Sequence, residues 1–209
     1  MPILYLSEID QTKEKLMSVL EDRRLSFLYP MLMVQQKMSR AIETDPNPTS
    51  IYKWIKDNVN SKMHTTPVFI NVLTTSLLKY ITSLTTLGDG VDPQQPPEKT
   101  TQEQEKELVD RLKPVLQLMI HDYPNLQLVA LYALQVHCYQ NQFPKGMLLR
   151  MFMYFYDMEI VEEEVFLRWK EDITDVYPGK GKGLFQVNQW LTWLEEAEEE
   201  EEDEGSDPE

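Results

Sequence analysis

Apolar side chains recur every three or four positions along almost the whole chain, whereas the alternating pattern of a β-strand is nearly absent. In the segment that follows Pro67, for example, Leu73, Leu77 and Ile81 fall on one face of a helix. Similar patterns predict further helices at about 9–20, 22–43, 51–55, 100–121, 125–141, 146–156, 161–171 and 184–203. Thr49 or Ser50 is the expected cap of the helix that contains residues 51–55. We therefore predict an all-α fold.

The predicted helices number about nine and are joined by short turns. Stacked antiparallel helix pairs with a repeat of roughly 40 residues are typical of a HEAT-type α-solenoid, although a compact helical bundle has the same periodicity. We assign residues 1–24 to an N-terminal helical extension, 25–194 to the HEAT-type domain, and 195–209 to a disordered acidic tail. Residues 88–99 contain three prolines and two glycines, a composition that predicts a mobile loop inside this domain.

The negative charge of the chain is concentrated at its C-terminal end. Residues 195–209 carry eleven acids and no base, so they supply most of the formal net charge of −15. Nucleic acids and anionic membranes are bound by clustered lysines and arginines, and the sequence has no such cluster, so we predict neither as a partner. The acids are interpreted either as a solubilising tail or as a docking surface for a lysine-rich protein segment.

No pattern of catalytic or metal-binding residues occurs in the sequence. The histidines, His64, His121 and His137, lack the spacing of a zinc site, and the single cysteine is Cys138. The glycine-rich segment 178–183 lacks the spacing of a phosphate-binding loop and is interpreted as a turn between helices. We predict a protein that is not an enzyme and that needs neither a metal nor a cofactor.

The sequence also predicts a location in the cytosol. A single cysteine forbids an internal disulfide. Residues 1–6 lack the basic region and the length of a signal peptide. No apolar stretch approaches the roughly 20 residues that a membrane-spanning helix needs.

Two elements near the C-terminal end each combine an aromatic anchor with a cluster of acids. In the first, Val161, Val165 and Trp169 are spaced by four and form an apolar stripe, while the acids at 162–164 point elsewhere. An ordinary amphipathic helix with acids near its N-terminus has the same features, since the helix dipole favours them there. The final helix repeats the combination at Trp193, which the acidic run follows. The repetition predicts that the two acid clusters act together.

These elements resemble the aromatic/acidic boxes that close the two-tryptophan domain of eukaryotic translation initiation factors. The first box is Glu-Glu-Glu-Val-Phe-Leu-Arg-Trp at 162–169, and the second is Trp-Leu-Glu-Glu-Ala-Glu-Glu-Glu at 193–200. Other segments are similar to the initiation factor 4 gamma family, namely 51–58, 131–139, 143–150 and 185–193. The resemblance covers residues from about 25 to 204. The chain has no middle domain for a helicase partner, so we expect the C-terminal part of a larger factor.

The resemblance implies HEAT-type helix pairs and a non-enzymatic module that binds other proteins in translation initiation. It implies two kinds of partner, the lysine-rich segment of initiation factor 2 beta and a MAP-kinase-interacting kinase. The alternative is a nucleotide-exchange module like the C-terminal domain of the initiation factor 2B epsilon subunit. We expect Trp169 and Trp193 to be buried anchors first. The expected partner-binding residues are Asp157, Glu159, Glu162, Glu163, Glu164, Trp169, Glu171, Asp172, Trp193, Glu195, Glu196, Glu198, Glu199 and Glu200.

Overall fold

A computed structural model describes residues 29–174 and 176–204, with side chains as far as Ala197, and its regular elements are all helical. Eight α-helices and one short 3-10 helix (Ser61–Met63) occur in this part of the chain, and no strand does. The α-helices are α1 Tyr29–Thr44, α2 Pro48–Asn58, α3 Pro67–Ser83, α4 Lys99–Ile120, α5 Pro124–Gln140, α6 Met147–Asp157, α7 Glu163–Glu171 and α8 Lys180–Glu204. The all-α prediction is confirmed.

The helices stack as four consecutive pairs. Within the pairs, α1 packs on α2, α3 on α4, α5 on α6, and α7 on α8. Between pairs, α1, α3, α5 and α7 contact one another in turn and form one layer, while α2 packs on α4 and α6 on α8 in the other layer. This two-layer arrangement is the predicted HEAT-type stack, in which each pair buries its apolar face against the next. The central α3 and α5 are buried along most of their length.

Prolines and capping side chains fix where several helices begin. Pro48, Pro67 and Pro124 each lie in the first positions of a helix, where a missing N–H costs no intrahelical hydrogen bond. The α2 cap is Asn47, whose side-chain oxygen accepts a hydrogen bond from the backbone N–H of Thr49 at 2.9 Å. The prediction that Thr49 or Ser50 caps this helix is therefore wrong, because Pro48 already occupies the first helical position.

The segment between α3 and α4, residues 84–98, contains no helix and is tied to the body by several hydrogen bonds. The backbone N–H of Lys145 donates to the carbonyl of Pro93 at 2.7 Å. Pro97 is buried, and its carbonyl accepts a hydrogen bond from Gln102 Nε2 at 2.8 Å. Residues 88–98 contain no helix, α4 begins at Lys99, and the mobile loop at 88–99 remains a prediction.

A buried ion pair joins α4 to α6. Arg150 Nε donates to Glu105 Oε2 at 2.8 Å, and the Glu105 side chain is completely buried. Arg150 Nη2 also donates to the hydroxyl of Thr86 at 3.0 Å, which attaches the segment that follows α3 to the same group. Removing one partner would leave an uncompensated buried charge, so this network fixes the position of α6.

Two predicted terminal segments reach beyond the described residues. The predicted N-terminal extension at 1–24 and the last residues, 205–209, lie outside them. Helix α8 ends at Glu204, close to the predicted end at about 203, and it carries part of the acidic run. Residues 195–204 belong to α8, so disorder stays a prediction for residues 205–209 of the tail. None of the described helices has the length and apolar character that a membrane crossing requires.

Candidate interaction site at the C-terminal helices

Trp169 anchors α7 in the core. Its side chain is fully buried, and its indole Nε1 donates to Gln135 Oε1 of α5 at 3.1 Å. Gln135 Nε2 in turn donates to the carbonyl of Pro178 at 2.9 Å, in the connection between α7 and α8. One buried amide of α5 therefore positions both ends of this connection. Trp169 is part of the core on which the candidate surface rests, and its side chain does not reach solvent.

Trp190, and not Trp193, anchors α8. Its ring lies edge-on to Phe166 at 5.2 Å, to Tyr156 at 5.8 Å and to Phe152 at 6.2 Å, measured between ring centroids. Trp193, by contrast, is 53% exposed. The expectation that Trp193 is a buried anchor is wrong, because its position in the helix turns it away from the stripe that packs inward.

The start of α8 closes over Trp169. Lys180 Nζ lies 3.7 Å from the centre of the Trp169 ring and donates to the Trp169 carbonyl. Burial lowers the pKa of Lys180 to about 8, and the nearby Asp172 carboxylate opposes this shift. Gly179 has a φ of 89°, and a Cβ there would lie 3.0 Å from the side chains of Tyr139 and Phe143. Glycine is required because the turn packs directly on the end of α5.

The first acidic cluster, residues 162–164, begins with Glu162, which makes two hydrogen bonds to Gln127. Its backbone N–H donates to Gln127 Oε1 at 2.8 Å, and its Oε1 accepts from Gln127 Nε2 at 3.0 Å. Gln127 is buried and also donates to the carbonyl of His121 at 2.9 Å, at the end of α4. The entry into α7 is therefore held against two earlier helices.

The next two acids occupy the first turn of α7, where the helix dipole stabilises negative charge. Tyr156 donates its hydroxyl proton to Glu163 Oε2 at 2.8 Å, which orients this carboxylate towards α6. Glu164 is exposed. The cluster thus combines two carboxylates with fixed orientations and one that faces solvent.

Asp172, directly after the last residue of α7, accepts three hydrogen bonds. Asp172 accepts hydrogen bonds from the Tyr132 hydroxyl, from the Thr174 N–H at 2.8 Å and from the Thr174 hydroxyl at 2.7 Å. These bonds, with that of Tyr132 the strongest, lower the pKa of Asp172 to about 2. Burial and the same carboxylate raise the pKa of Tyr132. Asp172 is therefore a fixed anion at neutral pH.

An ion pair links the end of α7 to the beginning of the acidic run. Lys170 Nζ lies 2.5 Å from Glu195 Oε2. Both side chains are partly accessible, so the pair contributes little to stability. Its effect is geometric, because it holds Glu195 of α8 next to the end of α7. The joint action of the two acid clusters remains a prediction.

The end of α6 presents two more acids, Asp157 and Glu159, both exposed. Glu159 has a left-handed φ of 54°. Its N–H donates to the carbonyl of Tyr156 at 2.9 Å, and the N–H of Ile160 donates to the carbonyl of Phe155 at 2.9 Å. This is the hydrogen-bond pattern of a Schellman motif, which normally has glycine where Glu159 stands.

The predicted site residues divide into four groups. Those exposed are Asp157, Glu159, Glu162, Glu164, Glu171, Trp193 and Glu196. Those half-buried are Glu163, Asp172 and Glu195, and Trp169 is buried. The side chains of the last three, Glu198, Glu199 and Glu200, lie outside the described part of the chain.

The sequence prediction omits two aromatic residues of this region. Trp190 is half-buried in the aromatic cluster, and Phe185 is 87% exposed. The exposure of Phe185 could have been predicted from the apolar stripe of α8. Val187, Leu191 and Leu194 define the inner face of the helix, and Phe185 lies on the opposite side. Among the described residues, no group of three or more histidines, cysteines or acids is arranged to hold a metal ion.

Comparisons with known proteins show what this region is similar to. The model of the W2 domain, described as eIF4-gamma/eIF5/eIF2-epsilon, matches residues 126–204. These residues include most of α5 and all of α6 to α8, and hence the whole candidate site. Human eukaryotic translation initiation factor 4 gamma 2 is 56% identical over 203 residues, which make up 97% of this chain and 22% of that protein.

More distant relatives match smaller parts. Human eukaryotic translation initiation factor 4 gamma 3 is 28% identical over 157 residues, or 75% of this chain and 9% of that protein. The zebrafish (Danio rerio) eIF5-mimic protein 1 is 30% identical over 83 residues, or 39% of this chain and 19% of that protein. The chain spans about a fifth of the length of the factor 4 gamma 2 relatives, 22% in each case. Residues 126–204 are therefore similar to the W2 domain, and the chain is similar to part of the factor 4 gamma proteins.

Proposed function

We propose that α7, α8 and the end of α6 form an acidic surface that binds lysine-rich segments of other proteins during translation initiation. The observation that carries this proposal is the combination of exposure and fixed geometry among the acids. Glu162 and Asp172 are held by bonds to α5, and Glu195 by Lys170, while Glu164 and Glu196 face solvent. Such an arrangement favours a cationic segment and repels an anionic one.

The proposed partners are the lysine-rich segment of initiation factor 2 beta and a MAP-kinase-interacting kinase. The names of the relatives support a partner among translation factors, since they are initiation factors and an eIF5-mimic protein. We further propose that the parent protein acts in the cytosol and is most like death-associated protein five, within the factor 4 gamma family. The proposal does not include binding to nucleic acid or to a membrane, because the C-terminal acids repel both.

The alternative, a nucleotide-exchange module, has one observation in its favour. The matching family description includes eIF2-epsilon. The 56% identity with a factor 4 gamma protein over 97% of the chain favours the interaction module instead. The two proposals are separated by measuring whether the chain accelerates GDP release from initiation factor 2. We expect no acceleration.

The test compares two charge-reversed variants with equal changes in net charge. The first carries Glu164→Lys, Glu171→Lys and Glu196→Lys, and the control carries Glu43→Lys, Asp57→Lys and Glu107→Lys at exposed sites on α1, α2 and α4. Binding of each proposed segment is measured by isothermal titration calorimetry. We expect the first variant to lose at least about tenfold in affinity and the control to lose much less, because short-range charges dominate at physiological salt. Equal losses would contradict a localised site.

A further inference from the structure

The outer face of α8 carries two large aromatic side chains in water. Phe185 is 87% exposed and Trp193 is 53% exposed, although Val187, Leu191 and Leu194 on the inner face of the same helix are fully buried. Both rings lie on the same side of α8, and apolar area that is grouped on one face marks interaction sites. Their exposure is not required by the fold, because the core of α8 is complete without them.

The two rings share a narrow sector of the helix. Eight residues separate Phe185 and Trp193, which corresponds to about 12 Å along the axis and about 80° around it. Gln189 lies between them and Glu196 follows, and both are exposed in the same sector. Lys182, the basic residue of α8 nearest to Phe185, is directed towards the ring of Phe143, with Nζ 5.1 Å from its centre. We name Phe185, Gln189, Trp193 and Glu196 the aromatic strip.

We propose that the aromatic strip docks the apolar face of a basic amphipathic helix, whose lysines lie against the neighbouring acids. The inference rests on the proposed function and adds a requirement to it, namely that the lysine-rich partner also carries apolar anchors. The charge beside the strip determines which partner fits it, because the acidic segment from Glu195 onward directly adjoins the strip. An anionic membrane would be repelled by the same charge, so a cationic protein segment is the complement.

The aromatic strip determines how far apart the apolar anchors of the partner helix should be. Two rings offset by about 12 Å along the helix axis match apolar side chains roughly seven or eight residues apart on a helix, which is two helical turns. The lysines provide attraction that salt weakens, whereas burial of the rings depends little on ionic strength. The partner should therefore keep part of its affinity at high salt, and that part should depend on the aromatic strip.

The test uses designed peptides and four variants of the full chain. One lysine-rich helical peptide carries two leucines about two turns apart, a second has both leucines replaced by serine, and a third carries them on opposite faces. The variants are Phe185→Ser, Trp193→Ser, Leu118→Ser as a control at an exposed leucine of α4, and the charge-reversed variant Glu164→Lys, Glu171→Lys, Glu196→Lys. Binding is measured at low and high salt.

The expected result has three parts. The first peptide binds about tenfold more tightly than the other two, Phe185→Ser and Trp193→Ser each remove most of this advantage, and Leu118→Ser leaves it unchanged. The advantage persists at high salt. Equal affinity for the three peptides, or aromatic variants that bind like the unaltered chain, would overturn the inference.

Two further outcomes separate this inference from the proposed function. If the charge-reversed variant binds all peptides like the unaltered chain, the acidic surface itself is wrong. If it loses binding but the aromatic variants do not, only the aromatic strip is wrong. The oligomeric state of the free chain, measured by analytical ultracentrifugation, provides one more test of the inference. If Phe185→Ser dissociates a dimer without affecting peptide binding, the strip contacts a second copy and the inference fails.

Discussion

Glu159 combines a strained backbone with an exposed charge at the edge of the candidate surface. A non-glycine residue in the left-handed region costs about 1–2 kcal/mol, and this residue also places a negative charge at the negative end of the α6 dipole. We predict that Glu159→Gly raises the free energy of unfolding by about 1 kcal/mol. Urea denaturation checks this value. A decrease would mean that the carboxylate makes a stabilising interaction.

Gln142 offers a matched control for this substitution. It has a φ of 60° at the end of α5, and the N–H of Phe143 donates to the carbonyl of Cys138 in the same motif. Gln142→Gly should therefore raise stability by a similar amount, about 1 kcal/mol, without affecting binding to a lysine-rich segment. If Glu159→Gly weakens that binding while Gln142→Gly does not, the strain at Glu159 maintains a functional carboxylate.

His137 is a buried base whose titration should limit stability in mild acid. The Thr82 hydroxyl donates to the Leu78 carbonyl at 2.8 Å, so it accepts the 3.0 Å hydrogen bond from His137 Nε2–H. Nδ1 is then the unprotonated nitrogen, and it has no hydrogen-bond partner. Burial, with a smaller effect from the charge of Lys79, lowers the pKa of His137 to about 4.

The direction of the pH dependence follows from this shift. Between about pH 6.5 and pH 4 the unfolded chain binds a proton at His137 that the folded chain does not, so stability falls as the pH falls through this range. We predict a loss of roughly 3 kcal/mol, measured by urea denaturation at several pH values. His137→Gln should flatten the slope. If stability still falls with pH as steeply in this variant, the pH dependence is due to other titratable groups. Asp172 loses its stabilising charge only at lower pH, between about 3.9 and 2.

Residue-scale details were predictable only where they follow helical phase. The burial of Trp169 agrees with its spacing from Val161 and Val165, and all three are buried. The mistake at Trp193 arose from the assumption that every tryptophan next to a stripe belongs to it. The bonds from Gln127 to Glu162 and from Tyr132 to Asp172 join residues 35 and 40 positions apart. Local periodicity contains no information on such pairs.

At the scale of elements, the three C-terminal tryptophans should differ sharply in their effect on stability. Trp169→Ala removes a fully buried ring and leaves Gln135 Oε1 without its indole donor, so it should cost about 3–5 kcal/mol. Trp190→Ala should cost less, because this ring is half-buried. Trp193→Ala should change the free energy of unfolding by less than about 0.5 kcal/mol. Thermal melts of the three variants check this order. A large loss for Trp193→Ala would contradict its exposed position.

Helix type and approximate position were readable from the sequence because long apolar stripes identify helices well. The predicted segments 100–121 and 125–141 agree with α4 and α5 to within a residue or two. Helix α8 begins at Lys180, four residues before the predicted start. The sequence 180–183 is rich in glycine and lysine and has no apolar residue, so periodicity could not place it in a helix. The contacts of Lys180 with Trp169 favour the helical start.

For the whole molecule, the four-pair stack separates a charged C-terminal end from the rest. Composition predicted the acidic character, and helical periodicity predicted the all-α class. Which pairs contact one another could not be derived from either, because the order of layers depends on contacts between α1, α3, α5 and α7. The predicted partner-binding acids lie on the last two helices and on the end of α6, so their grouping follows from the stack.

The central claim is that the C-terminal acids recruit a lysine-rich segment by electrostatic attraction. Its most direct test is the affinity of the chain for the lysine-rich segment of initiation factor 2 beta, measured by calorimetry across a range of salt concentrations. The account predicts that affinity falls by at least about tenfold from low to high salt, because exposed charges are screened. An affinity that does not change with salt would contradict it.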